Sequence, residues 1–418
     1  MTFAKRGWIK WAAVAAAAIC VIAILAIMAN KKQAADVAGY SGLPKLSVNT
    51  GLPVKGGIES HLAFNIEELC DNNPWTEDSD LAALPVFKNT LVYDAANMPI
   101  NALSAEEMLA KAKEVANMFG LEIKSLYTTP EQEQTEKIMQ KLDGADEQTI
   151  KMNTAAREGI AECDKAFIDV GIDGHIHLAL MPETAHLAKK IAKLGVFDNF
   201  TVSFEYGYET INGTLHSLGF PLPGGRRFAY EGTSREQAME ITKYLFSEYG
   251  AFAKISEPGY NLFADYAFGK ALRRLHTAVF DNSGSLEERI LNFNFANIYF
   301  SATDMGGLGQ IIYSKTDLSQ KIGDYPIITA AEAHKLLLDG KYISTVPQDL
   351  PAEEHIARVE LIYRKNRGDA VLMPYYKFFV EMPAMQRKNG LKTFGVFYVP
   401  AVSGEFLENM PFGNGSPN

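Results

Sequence analysis

The run from Trp11 to Ala29 contains no charged residue, with Lys5, Arg6 and Lys10 before it and Lys31 and Lys32 after it. At about 1.5 Å per helical residue its 19 residues reach roughly 28 Å, close to the ~30 Å hydrocarbon core of a bilayer. The stretch is therefore expected to form one transmembrane helix over residues 11–29. Basic residues in the short tail, 1–10, favour a cytoplasmic N-terminus, although Lys31 and Lys32 reduce the asymmetry. The remainder is then exported and held at the cell membrane by a single pass. A cleaved secretory signal has the same basic start, but its apolar centre is usually about 7–15 residues long. Cleavage after Ala29 would give a secreted body instead. A lipid on Cys20 is the third alternative, disfavoured because Ile19 stands where lipoprotein signals place a small residue.

An exported remainder must bury its own core, and composition permits it. Of the 418 residues 47% are hydrophobic and 11% aromatic, which matches folded globular chains. A net charge of −10 and a pI near 5.4 repel phosphate backbones, so nucleic acid is a poor partner. Arg226-Arg227 and the stretch from Arg364 to Arg367 are short and read as solvated turns. Export into an oxidising space permits a Cys70–Cys163 disulfide, but spacing alone does not establish one.

Residues 30–80 read as a flexible tether, rich in Gly, Ala and Pro, as in Gly51-Leu-Pro-Val-Lys-Gly-Gly57. Leu84 to Phe87 is expected to open the first strand. Three capping boxes follow: Ser104-Ala-Glu-Glu107, Thr233-Ser-Arg-Glu236 and Thr329-Ala-Ala-Glu332. Each should start a helix, and Gly120, Gly250 and Gly340 stand near the ends. Pro130 to Leu142 reads as an exposed helix, Glu183 to Lys193 as a short helix, and Phe200 to Tyr206 as a strand. The alternation of Leu291, Phe293 and Phe295 marks Arg289 to Phe300 as a strand. Three further strands are expected at Arg358–Arg364, Ala370–Met382 and Leu391–Val399. In the second of these, Tyr376, Phe378, Val380 and Met382 make a core face, and Tyr375, Lys377, Phe379 and Glu381 an amphipathic one. The tail from Met410 should fray. The fold class expected is α+β: an N-terminal transmembrane helix, then repeated α+β units with antiparallel sheets over 81–200, 201–305 and 306–418.

The sharpest chemical candidate is the hairpin around Asp173-Gly174. A three-residue loop with Gly174 left-handed sets Val170 opposite Ile176 and Ile168 opposite Leu178 on one apolar face. Asp169, His175 and His177 then share the other face, where two imidazoles and a carboxylate could hold zinc for a metal-dependent hydrolase. The competing reading is a solvated polar face. The His-x-His strand resembles that of amidohydrolases, but the eight-fold βα alternation of their barrel is missing. Gly306-Gly-Leu-Gly309 lacks the ending of a phosphate-binding loop and reads as a turn. No other nucleophile or acid–base set converges, and no cofactor is implied.

At the C-terminal end a resemblance appears. Ile327-Ile-Thr-Ala-Ala-Glu-Ala-His-Lys-Leu-Leu-Leu-Asp-Gly-Lys-Tyr-Ile343 resembles the Ser/Thr-x-x-Glu-Ala helix of PepSY-like and YycI-like extracytoplasmic modules. Val359–Tyr363, Met373–Glu381 and Phe397–Ala401 resemble the strands that follow it. The whole exported part resembles anchored envelope proteins of Gram-positive bacteria. The resemblance implies one N-terminal span, an α+β body and a non-catalytic accessory role towards an envelope partner such as a sensor kinase. It covers about a quarter of the chain and carries over no catalytic residue.

Overall fold

The computed structural model describes residues 40, 42–50, 59–69, 72–90, 103–129, 156–172, 174, 176–181, 199–204, 208–211, 214–217, 219–228, 233–267, 272–303, 305–366, 368–387 and 389–411. The apolar run 11–29, the helices expected at 130–142 and 183–193, and Cys70 and His175 lie outside these residues. Among the described residues no helix is long and apolar enough to cross a membrane.

Among the described residues the fold is α+β, with sheets that are antiparallel except at one junction. Its largest sheet has nine strands, from β3 (Ile123–Thr129), β4 (Glu158–Cys163), β5 (Ala166–Gly171), β6 (Ile176–Leu180) and β7 (Asn199–Phe204) to β10 (Pro258–Ala267), β11 (Leu272–Asp281), β12 (Ala296–Ala302) and β13 (Leu308–Lys315). They lie in the order β10-β11-β12-β13-β7-β6-β5-β4-β3, with β6 and β7 parallel, while β8 (Tyr208–Ile211) and β9 (Thr214–Ser217) pair in a separate sheet. This sheet draws strands from all three stretches expected to be separate units. The boundaries at 200/201 and 305/306 therefore fall within one layer, because capped helices mark where helices begin and not where sheets end.

Helices α1 (Ala105–Phe119) and α2 (Arg235–Tyr249) cover one face. Met108, Ala112, Val115 and Phe119 from α1 and Ile241, Leu245 and Tyr249 from α2 meet Ile168, Val170, Ile176, Leu178 and Val202 in one core. These helical residues recur at three- and four-residue intervals, and the facing strand residues at two. Gly159 lets α1 approach β4 closely: a Cβ there would lie 2.8 Å from the Met108 backbone carbon.

Helix starts are where the sequence is most explicit. Ser104 and Thr329 cap α1 and α4 (Ala330–Leu338) through complete capping boxes with Glu107 and Glu332. At α2 the box sits one residue later than expected. Ser234 accepts from the Gln237 amide and the Gln237 side chain accepts from Ser234, while Thr233 turns into the interior. A fourth box, Ser285 with Glu288, starts α3 (Leu286–Phe295) just upstream of the stretch expected to be a strand, and the helix runs into it. The cap overrides the alternation: Ile290 and Asn294, one helical turn apart, point inward, and the strand begins only at Ala296.

The C-terminal layer is a helix with an antiparallel meander, as expected. β16 (Ile356–Tyr363), β18 (Pro374–Glu381) and β19 (Lys392–Pro400) pair in the order β19-β18-β16. The expected strand at 370–382 is broken before Pro374. Its first part, β17 (Val371–Leu372), joins β2 (Ala83–Lys88) and β14 (Lys321–Pro326) in a separate sheet.

Both faces of β18 are core. Tyr376, Phe378, Val380 and Met382 pack under α3 and α4. The face expected to be amphipathic instead packs Tyr375 and Phe379 against Leu46, Val48 and Ala63. Part of the expected tether thus belongs to the fold. Leu46 bridges Leu407, and β1 (Ser60–Ala63) extends the C-terminal sheet along β19. The alternating Glu59, His61 and Ala63 turn inward, which a scan for glycine and proline overlooks.

Candidate functional site

The hairpin β5–β6 has the expected register. Val170 pairs with Ile176, Ile168 with Leu178, and Asp169 with His177 on the opposite face. Gly174 has φ 79°, the left-handed conformation that such a loop needs, and its N–H donates to the Gly171 carbonyl. His175 lies outside the described residues.

His177 is engaged by a hydroxyl that the sequence reading missed. Its Nε2 meets Ser203 Oγ on β7, and Gln310 Nε2 of β13 donates to the same oxygen at 3.1 Å. Ser203 and Thr201 are both buried. The alternation Phe200-Thr-Val-Ser-Phe204 signals a polar face on this strand, but the parallel pairing that brings it to β6 is not readable locally. His177 thus stands between Asp169, opposite it on β5, and the Ser203 hydroxyl and Gln310 amide across the sheet. Among the described residues no group of three or more His, Cys, Asp or Glu side chains is placed to hold a metal ion. Cys163 carries a free, half-buried thiol whose pKa is raised by burial and by Asp164.

A second cluster lies beneath β18. Register places Lys377 between Glu360 of β16 and Tyr398 of β19. The Lys377 ammonium reaches Glu59 Oε1 at 2.9 Å, and the Tyr398 hydroxyl donates to Glu59 Oε2 at 2.6 Å. Both carboxylate oxygens of Glu59 are thus engaged by the C-terminal sheet. Arg358 pairs with Glu360 at 2.7 Å, and the His61 ring is tilted against that of Phe379 with centroids 5.8 Å apart. No protein-family model, curated protein or solved structure matches this chain. The site must be read from its own chemistry.

Burial alone would raise the Glu59 carboxyl. The Lys377 charge, with the hydrogen bonds from Tyr398 and Lys377 and the His61 imidazole 3.8 Å away, prevails and holds it well below the usual carboxylate range. Burial would lower the Lys377 ammonium, but Glu59 foremost holds it above its ordinary value. The pair is therefore charged on both sides. Tyr398 is pushed up by burial, so it stays a neutral donor.

Nearby, Arg364 is buried, not solvated as its turn position suggested. It donates to the Asn49 carbonyl at 3.0 Å and lies over the rings of Tyr375 and Tyr398 at 5.9 and 5.7 Å. Asp369, raised by burial against the opposing Arg364 charge, completes the group. Backbone bonds continue the clamp: Leu46 N–H donates to the Phe406 carbonyl at 2.8 Å, and Val48 exchanges bonds with the Asn409 amide. What the arrangement does is fasten two stretches, 46–49 and 59–63, onto the C-terminal layer through ion pairs, aromatic contacts and strand pairing.

Proposed function

We propose that this protein is a membrane-tethered extracytoplasmic binding module, an accessory to an envelope partner such as a sensor kinase. The charge-free run 11–29 supplies the anchor in this reading. The observation that carries it is the fastening of Asn49 and Glu59 to the C-terminal layer by Arg364, Lys377 and Tyr398. About ten residues separate the apolar run from Tyr40, which packs on the same core. Ten residues span at most about 35 Å. The C-terminal layer would then stand close to the bilayer in a restricted orientation, where it can meet the exported part of another membrane protein.

The helix-plus-meander of α4, β16, β18 and β19 supports the likeness to PepSY-like and YycI-like modules. The common start of α1, α2, α3 and α4 by capping boxes supports an origin in related α+β units. Cross-linking in intact cells followed by capture of the full chain tests the role. A membrane protein recovered with the wild-type chain and lost when 11–29 is replaced by a cleavable signal supports it. Recovery of the chain in the culture medium, without a membrane partner, would overturn it.

A further inference from the structure

The outer edge of β19 is not held by one partner strand. β1 takes the stretch Lys392–Gly395, and β15 (Ile343–Ser344) takes Phe397 and Tyr398. Thr345 fills the joint, its Oγ1 lying 2.9 Å from the Glu59 carbonyl and 2.7 Å from the Val396 carbonyl, which share its one proton. The backbone bonds of Glu59 at this joint are long, 3.3 Å from its N–H to the Thr345 carbonyl and 3.3 Å from the Val396 N–H to its own carbonyl. What seats this strand is its side chains. Glu59 enters between Lys377 and Tyr398, His61 lies on Phe379, and Ala63 is fully buried. Lys377 Nζ also sits 4.8 Å over the Phe379 ring, so its charge is held at the edge even where Glu59 is not.

Strand addition works this way: main-chain bonds supply affinity, and pockets for alternate side chains supply specificity. The geometry points to the β19 edge from Lys392 to Val396 as a strand-acceptor site for an extended segment of a partner protein, occupied here by the chain's own Glu59–Ala63. The positive charge of Lys377 and the pocket spacing define the segment. It carries a carboxylate, then an imidazole or aromatic ring two residues on, then a small apolar residue two further on. The inference rests on reading the body as a binding module. It is tested with purified protein, so its failure is distinct from failure to capture a membrane partner.

The probe is a fluorescent peptide of residues 57–65, titrated against the full chain in detergent micelles and followed by anisotropy. Glu59→Gln weakens the resident strand, so this variant should bind the peptide saturably and at least tenfold more tightly than wild type. A peptide with glutamine in place of its glutamate should bind at least tenfold more weakly. A Leu62→Cys/Thr393→Cys pair added to Glu59→Gln should abolish binding when oxidised and restore it when reduced, since the two positions face each other. If Glu59→Gln does not fold, the same comparison is made with the cysteine pair in the wild-type chain. Absence of saturable binding, binding that survives in the oxidised chain, or indifference to the peptide glutamate would each overturn the assignment. Dimerisation of Glu59→Gln without peptide, seen by light scattering, would assign the edge to a second copy and overturn the partner segment.

Discussion

The Tyr398 hydroxyl donates to Glu59 Oε2 at 2.6 Å across 339 residues of chain, and Lys377 holds the other oxygen at 2.9 Å. A carboxylate two-thirds enclosed and paired on both oxygens is a tie between the start and the end of the described fold. Lys377→Met removes the cation and leaves Glu59 with only its hydrogen-bonding partners. For a fully buried pair such a loss costs about 3–5 kcal/mol. The Glu59 side chain is 36% accessible, so screening reduces this to about 1–3 kcal/mol. Urea unfolding of the two chains should show that difference. The double variant Glu59→Gln/Lys377→Met should recover part of it, because neither charge is then stranded.

The same pair sets a pH dependence. Glu59 is held below its unfolded value of about 4.5, so it contributes stability above that pH and loses it as pH falls through the folded value. Asp369 has the opposite sign: its raised carboxyl is stabilised by protonation as pH falls. The stability gap between wild type and Glu59→Gln should therefore be constant from pH 7 to about 5 and narrow below 4.5. Unfolding curves at several pH values measure it directly, and Asp369 cancels in the difference.

Capping offers a test of local structure. Ser234→Ala removes the side-chain acceptor that starts α2, and Ser285→Ala does the same for α3. Each should cost about 1 kcal/mol. Thr233 lies outside the cap, so Thr233→Ser should leave the helix start intact. Thermal unfolding followed by circular dichroism separates these variants, and a strand at 286–295 would make Ser285→Ala nearly silent.

These boxes also show how far the sequence can be read. Ser104 and Thr329 announce α1 and α4 because a cap is local chemistry between residues three apart. The register of β5–β6 follows from one glycine and from the need to put Val170 and Ile176 on one face. The stretch 289–300 misleads because Leu291, Phe293 and Phe295 alternate while Ser285 and Glu288, just upstream, dictate a helix. Least legible are the relationships between distant segments. Ser203 reaches His177 through a parallel pairing, and Glu59 reaches Lys377 only after the whole C-terminal meander has formed. A glycine-rich neighbourhood makes 59–63 read as tether, and the inward positions Glu59 and His61 are polar, so no apolar alternation marks the strand.

Close packing of α1 on the large sheet depends on one missing side chain. A Cβ at Gly159 would lie 2.8 Å from both the backbone carbon and the Cβ of Met108, neither of which can swing away. Gly159→Ala should therefore destabilise the protein by about 1–3 kcal/mol. Gly42→Ala is not an adequate control, since its positive φ adds strain. Gly404→Ala is suitable, as a Cβ there meets open space. Parallel urea titrations should separate the two by at least about 1 kcal/mol.

Hydrogen exchange in the full chain tests the fastening of 59–63 to the C-terminal sheet most directly. In the ladder of Ser60–Ala63 on Lys392–Gly395, the His61 and Ala63 amides face β19, in phase with Glu59, whose carbonyl accepts from the Val396 N–H. They should exchange slowly in wild type, and peptides covering both strands should lose protection together in Lys377→Met. Exchange of 59–63 at the rate of an unstructured chain in wild type, with β19 unchanged by the substitution, would contradict a C-terminal sheet that holds its own N-terminal stem.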